Sequence, residues 1–315
     1  MPREHAPPKA APRPRIGLAL SSGIARGWAH IGVIHALVRA GFAPDIICGT
    51  SIGALVGGVY LADHLHTLEA WARGLTKMRL TKYLDVQIGG GGLIAGKRLA
   101  TMLYDSLGDR TIESLPKPLA CVTTELNTGH EIWLQKGSLV DAIRASYALP
   151  GVFTPVQLDG RWLMDGALVN PIPVTACRAL GARLVIAVNL NADTFGRGRV
   201  GGRVAGSDEF AMFEEGASRG FSLTRPIDML TRQMFGHERD APNMFGVMVA
   251  ALNIVQDRLS RSRLAGDPPD VMVTPRLGHV GLLEFHRADE AIKEGEAAML
   301  RAMPHLTTAM SALAV

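Results

Sequence analysis

Two serine-bearing glycine turns lie near the start of the chain. They are Ser21-Ser22-Gly23-Ile24-Ala25-Arg26-Gly27 and Gly49-Thr50-Ser51-Ile52-Gly53, each set between an apolar strand-like run and a helix-like run. The second has the G-x-S-x-G spacing of a nucleophile elbow, in which flanking glycines allow a sharp strand-to-helix turn that exposes the serine hydroxyl. Ser51 is therefore the candidate nucleophile for acyl transfer. A helix that begins directly after a strand leaves its opening N–H groups unpaired, so the first turn can gather donors around a developing negative charge. A hydroxyl is a weak nucleophile and needs a base within about 2.6 to 3.2 Å. That base could be a histidine or a carboxylate. Asp165 ends a short apolar run and is followed by Gly166, which lets another backbone come close; His279 or His286 would instead complete the chain order Ser, Asp, His.

The elements that must hold these residues follow from hydrophobic periodicity. Residues 15–20 and 45–48 read as buried strands, 27–40 and 52–61 as the helices after them. This order implies parallel strands with right-handed crossovers. Both turns then fall at carboxyl ends of strands, where open α/β sheets place their sites. Residues 75–97 read as a glycine-rich surface loop and 97–107 as a helix. Residues 119–124 and 131–134 form a hairpin across Asn127-Thr128-Gly129. A capped helix over 138–148, a strand over 161–164, a helix over 174–180 and a strand over 183–190 follow. Residues 191–242 leave this rhythm with clustered glycines and then Met212, Phe213, Phe221, Met229, Met234 and Phe235, either a lid or lipid-docking surface or side chains packed onto the flank of the sheet. A long helix over 243–264 carries Met248, Leu252, Val255 and Leu259 on one stripe. A last strand spans 270–274, and a closing helix starts near 287 and stops before Pro304.

With 47% hydrophobic residues in 315, the chain can bury a large core, and one domain over 15–315 is expected. The net charge of +4 owes part of its sign to residues 1–14, a basic, proline-rich tail expected to be disordered. Aromatic interleaving is absent from it, so no nucleic-acid partner is expected. Cys48, Cys121 and Cys177 are odd in number and widely spaced, against both a disulfide framework and a zinc cluster. A cytoplasmic location is expected, with peripheral contact at the inner membrane surface. The uncharged run 46–62 approaches the length of a membrane span, but its glycines and Ser51 fit a strand followed by a buried helix better. No H-E-x-x-H occurs, and the first turn lacks G-x-G-x-x-G because Ser22 and Ile24 occupy two of its glycine positions, which argues against metal-dependent and dinucleotide chemistry.

Four segments together resemble the patatin-like phospholipase family: residues 17–32, Gly49-Thr50-Ser51-Ile52-Gly53, Ala145-Ser146-Tyr147-Ala148-Leu149-Pro150-Gly151-Val152-Phe153, and Asp165-Gly166-Ala167-Leu168-Val169-Asn170-Pro171. The likeness is nearest to the bacterial branch related to the neuropathy target esterase catalytic domain. It implies a three-layer α/β/α sandwich with a mostly parallel sheet and a lipid or lysolipid ester as substrate. It also implies a Ser51–Asp165 dyad and an oxyanion hole from the N–H groups of Gly23, Ile24 and Ala25. Arg26 would anchor the turn or an anion, with Gly27, Gly49, Gly53 and Gly166 in support. No cofactor is needed, because nucleophile, base and donors all come from protein.

The chain departs from the family's pattern in one place that matters. Ile24 stands where the family usually has glycine, and Ser21 where it often does. A positive φ there would strain a β-branched residue by about 1 to 3 kcal/mol. Losing one aligned oxyanion donor costs about 10²- to 10³-fold in rate. A catalytically weak or inactive protein that keeps the fold to bind lipid or a protein partner is therefore the competing expectation.

Overall fold

The computed structural model describes residues 13–76, 78, 92–94, 97–193 and 244–313. Its centre is an eight-stranded sheet. Strand β1 (Ile16–Leu20) pairs in parallel with β2 (Ile46–Thr50) on one side and with β9 (Leu184–Val188) on the other; β10 (Val271–Val273) extends the sheet beyond β9 and β4 (Leu119–Glu125) beyond β2, all parallel. Three antiparallel strands complete it: β5 (Glu131–Leu134) and β8 (Arg161–Asp165) on β4, and β7 (Val156–Leu158) on β8. A separate two-stranded ribbon joins β3 (Gly92–Ile94) to β6 (Gly151–Phe153) in parallel.

Alternation along the strands explains the layers. Ile16, Leu18 and Leu20 face one side, where they pack with α1 (Ala29–Arg39), α2 (Ile52–Leu61) and the C-terminal helix α8 (Ala288–Leu313). Ala19, Cys48, Val185 and Ala187 face the other, against α6 (Val174–Ala179) and Leu264 of α7 (Met244–Gly266). The remaining helices are α3 (Leu65–Arg73), α4 (Lys97–Leu107) and α5 (Leu139–Ser146). Strands buried on both faces require nearly continuous apolar sequence, and β1 and β9 have it. The result is the expected three-layer α/β/α sandwich.

Several expectations need correction. A 3-10 turn, Ile24–Trp28, precedes α1, so the α-helix begins two residues later than its apolar spacing suggested. Strands β3, β6 and β7 were not foreseen, since each has three residues and too little pattern to read. Helix α8 runs through Pro304 instead of stopping before it. Proline removes the bond to the carbonyl of Leu300, whose side chain is exposed, so water can serve that carbonyl; beyond the proline, fully buried Leu306 holds the helix to the core. The basic tail is fixed at its end, where both guanidinium nitrogens of Arg13 reach the Asp45 carboxylate. Residues 1–12, 194–243 and Gly89 to Gly91 lie outside the described residues, and with them nearly all of the tail and the candidate lid.

Candidate active site

The sheet topology brings Ser51 and Asp165 together. Strand β2 runs parallel to β4 and ends with Thr50 opposite Val122. Strand β8 runs antiparallel to β4 and ends with Asp165 opposite Thr123. Strand β5 occupies the other flank of β4 through residues 121–124, so β2 and β8 share one flank and approach each other end to end. Their carboxyl termini meet where the next residue of each chain must turn away. There the Ser51 hydroxyl donates to Asp165 Oδ2 at 2.7 Å.

The local turn at Ser51 is strained. Its φ of 58° and ψ of −121° lie where side-chain-bearing residues are rare. The glycines around it are sterically required: a Cβ on Gly53 would run into the Leu20 carbonyl oxygen, and one on Gly49 into the backbone of Ala54. The Ser51 N–H donates to Ser146 Oγ at 2.9 Å, and that hydroxyl in turn donates to the Val122 carbonyl at 2.6 Å. Thr50 Oγ1 donates to the Asn170 carbonyl at 2.8 Å. Helix α2 begins at Ile52, so its positive end lies directly behind the serine.

Asp165 is held as firmly. Its Oδ1 accepts from the Ala167 N–H at 2.8 Å, its own N–H donates to the Ala148 carbonyl at 3.0 Å, and Thr124 Oγ1 donates to its carbonyl at 2.8 Å. A Cβ on Gly166 would strike the Val122 carbonyl, which explains the glycine after the aspartate. Burial pushes the Asp165 carboxyl up to about 7, while the hydrogen bonds from Ala167 and Ser51 favour its charged form. A carboxylate poised near neutrality is suited to taking and returning a proton.

The first turn stands beside this pair, because β1 lies next to β2 in register, Leu20 opposite Gly49. Ser22 N–H donates to the Pro171 carbonyl, and Ser21 O accepts from Nε2 of His30, which burial lowers to about 4 and so keeps neutral. Ile24 has a φ of 50°, the strained geometry anticipated for a residue in a glycine position. Ala25 does not supply a free donor: its N–H bonds the Leu282 carbonyl at 3.1 Å. Among the described residues the N–H groups of Gly23 and Ile24 have no acceptor. Arg26 is buried and donates from Nε to the Val280 carbonyl at 2.7 Å, so its guanidinium ties the turn to the loop before α8. Gly27 meets the side chain of Ile52 so closely that no Cβ could fit. His279 lies away from the pair, bonded to Glu290 and exposed.

Comparison with known proteins now bears on this arrangement. The sequence model of the patatin-like phospholipase family matches residues 18–178, from β1 into α6 and across both turns and Asp165. The chain belongs to that family. An uncharacterized NTE family protein of Mycobacterium tuberculosis is 34% identical over 330 residues, covering 92% of this chain and 91% of its own. Patatin-like phospholipase domain-containing protein 7 of Mus musculus and neuropathy target esterase sws of Drosophila melanogaster are each 34% identical over 182 residues, which is 56% of this chain and 13% of theirs. This patatin-like chain is thus related to lipid esterases and phospholipases. No helix among its described residues is long and apolar enough to cross a membrane.

Sequence reading missed several residues that surround the pair in this patatin-like protein. Ser146 lay inside one of the motifs without a role, Thr50 and Thr124 carried no signal because each acts on a backbone atom of a remote element, and His30 turns back to the Ser21 carbonyl of the preceding turn. Gln256, whose Oε1 accepts from Ser22 Oγ at 3.3 Å, belongs to α7, more than two hundred residues further along the chain.

Proposed function

We propose that the protein is a serine acyl hydrolase of lipid carboxylic esters, phospholipid or lysophospholipid, acting through a Ser51–Asp165 dyad within one hydrolase unit over residues 15–315. The observation that carries this reading is the 2.7 Å hydrogen bond from the Ser51 hydroxyl to a carboxylate that is 2% exposed. Ser51 Oγ attacks the ester carbonyl carbon as Asp165 takes its proton. The oxyanion of the tetrahedral intermediate accepts from the N–H groups of Gly23 and Ile24. The lipid alcohol leaves with the proton that Asp165 returns. Water then attacks the acyl-Ser51 carbonyl, again giving its proton to Asp165, and a fatty acid departs as the serine is restored. No step calls on a metal or an organic cofactor.

The second reading, a weak or inactive binding protein, is favoured by the φ of 50° at Ile24. Against it stands the backbone: an isoleucine N–H donates as well as a glycine N–H, and this one is uncommitted among the described residues. The test is hydrolysis of phosphatidylcholine and lysophosphatidylcholine, followed by release of fatty acid. Wild type should release it and Ser51→Ala should not. Equal release by both proteins would reject the serine mechanism, and none by either would favour the binding protein.

A further inference from the structure

Helix α7 leaves a row of apolar side chains in water. Its apolar spacing predicts a buried stripe through Met248, Leu252, Val255 and Leu259, yet Val255 is 53% exposed. The residues most deeply buried along this part of the helix are Gln256, Asp257 and Ser260. Gln256 accepts from Ser22 of the turn, Ser260 Oγ donates to the Gln256 carbonyl within the helix, and Asp257 pairs with Arg261. The outer side carries Val247, Ala250, Ala251, Ile254 and Val255, spaced at three and four residues, and then Arg258. Met248, Leu252 and Leu259 are half-buried, so the helix buries polar residues beside them while a contiguous apolar row stays exposed, and a row is informative where scattered surface apolar residues are ordinary.

The position of α7 gives that row meaning. Met248 lies against Gly151, Gln256 against the turn after β1, and Arg263 pairs with Glu131 at 2.9 Å, opposite Thr124 near the end of β4. All three contacts are at the carboxyl edge of the sheet, the edge that carries Ser51 and Asp165. Leu126 and Trp162 reach beyond Asp165 on the same edge, joined by a 2.8 Å bond from the Leu126 N–H to the Trp162 carbonyl. Leu126, Trp162, Val247, Ile254 and Val255 are thus five of the eight large apolar side chains left exposed among the described residues. Their basic neighbours are Arg258, which has no ion-pair partner among the described residues, and two arginines paired with carboxylates, Arg261 with Asp257 at 2.9 Å and Arg161 with Glu125 at 3.9 Å, both about half exposed.

We propose that this edge, with the outer face of α7 as its main element, is the surface on which the protein lies against an anionic phospholipid bilayer. The inference rests on the lipid hydrolase reading, because a bilayer is where its substrate resides. Apolar side chains flanked by arginines fit the boundary between acyl chains and negatively charged headgroups. Because the inner face of the same helix holds Ser22 of the glycine turn, docking there would bring headgroups to the mouth of the site without a helix that spans the membrane.

Sedimentation with vesicles of phosphatidylcholine, with and without a minor fraction of phosphatidylserine, tests the proposal. Wild type should bind the anionic vesicles more tightly than the neutral ones, and the difference should shrink in Arg258→Gln. Ile254→Glu/Val255→Glu should lose about tenfold or more in vesicle affinity, since two apolar contacts become two charges facing the headgroups. The same double variant should keep wild-type turnover of a water-soluble short-chain ester. Three outcomes would overturn the proposal: a wild type that ignores vesicles while hydrolysing the soluble ester, unchanged vesicle binding in the double variant, or a concentration-dependent dimer lost in that variant without any change in vesicle binding, which would assign the face to a second copy. A wild type that binds vesicles but hydrolyses no ester would refute the hydrolase reading and leave the docking surface standing.

Discussion

At the elbow Ser51 holds a φ of 58°, and at the neighbouring turn Ile24 holds a φ of 50°. Both are side-chain-bearing residues in the left-handed region, each at a cost of about 1 to 3 kcal/mol. What surrounds them differs. Ser51 is locked by Ser146 at its N–H, by Asp165 at its hydroxyl and by the start of α2 behind it, so its strain places one side-chain atom. Ile24 offers only its backbone N–H, and its side chain is partly exposed. Strain at the first position cannot be removed without moving the hydroxyl that meets Asp165, whereas at the second a glycine would present the same N–H without strain. The two turns thus separate a residue held through its side chain from one that presents its backbone.

The largest expected effect is at the elbow itself. Ser51→Ala should lower ester hydrolysis by about 10⁴-fold or more with an unchanged fold by circular dichroism. Asp165→Asn should follow, losing about 10³- to 10⁴-fold, because an amide cannot take the proton. It should also raise Tm. With a folded carboxyl pKa near 7, above the usual carboxylate value, the folded state keeps a proton that the unfolded chain has released between about pH 4 and 7. Stability therefore falls as pH rises across that window, by on the order of 4 kcal/mol, and thermal melts should find the variant more stable than wild type near pH 8 but not near pH 4. Ser146→Ala leaves the Ser51 N–H and the Val122 carbonyl without their shared partner. It should destabilise the protein by about 1 to 3 kcal/mol and lower kcat more than it changes KM. The smallest effect belongs to Ile24→Gly. Relief of strain and the greater freedom of an unfolded glycine oppose each other, so chemical denaturation should show a change within about 1 kcal/mol. Hydrolysis should stay within about tenfold of wild type; a gain of 10²-fold or more would mean that the isoleucine misaligns the donor.

Much of the site was legible because its chemistry is local in sequence. Gly49 to Gly53 specify the elbow by themselves, and the alternation of strand and helix puts both turns on one edge. The partner of Ser51 was harder, since the meeting of β2 and β8 on one flank of β4 depends on β8 running antiparallel, which apolar spacing does not encode. Its local context made Asp165 one candidate beside His279 and His286, the motif resemblance singled it out, and the register explains its contact with Ser51. The commitment of the Ala25 N–H to Leu282 was invisible for the same reason, being a bond to a loop more than two hundred residues away. Helix α7 shows the opposite case: its apolar spacing was clear, yet its placement over the site edge buries Gln256, Asp257 and Ser260 most deeply, leaving Met248, Leu252 and Leu259 half-buried and Val255 exposed. Pro304 misled because a proline rule that is sound in isolation yields when buried residues such as Leu306 follow on the same helix.

The most direct measurement is the rate at which a fluorophosphonate modifies the protein as a function of pH, with intact mass and peptide mapping to locate the adduct. A single adduct on Ser51 is expected, formed at a rate that rises with pH through an apparent pKa near 7 in wild type and that is slow and without that step in Asp165→Asn. An adduct on another residue, or an Asp165→Asn protein that labels as fast as wild type with the same pH profile, would contradict the dyad mechanism.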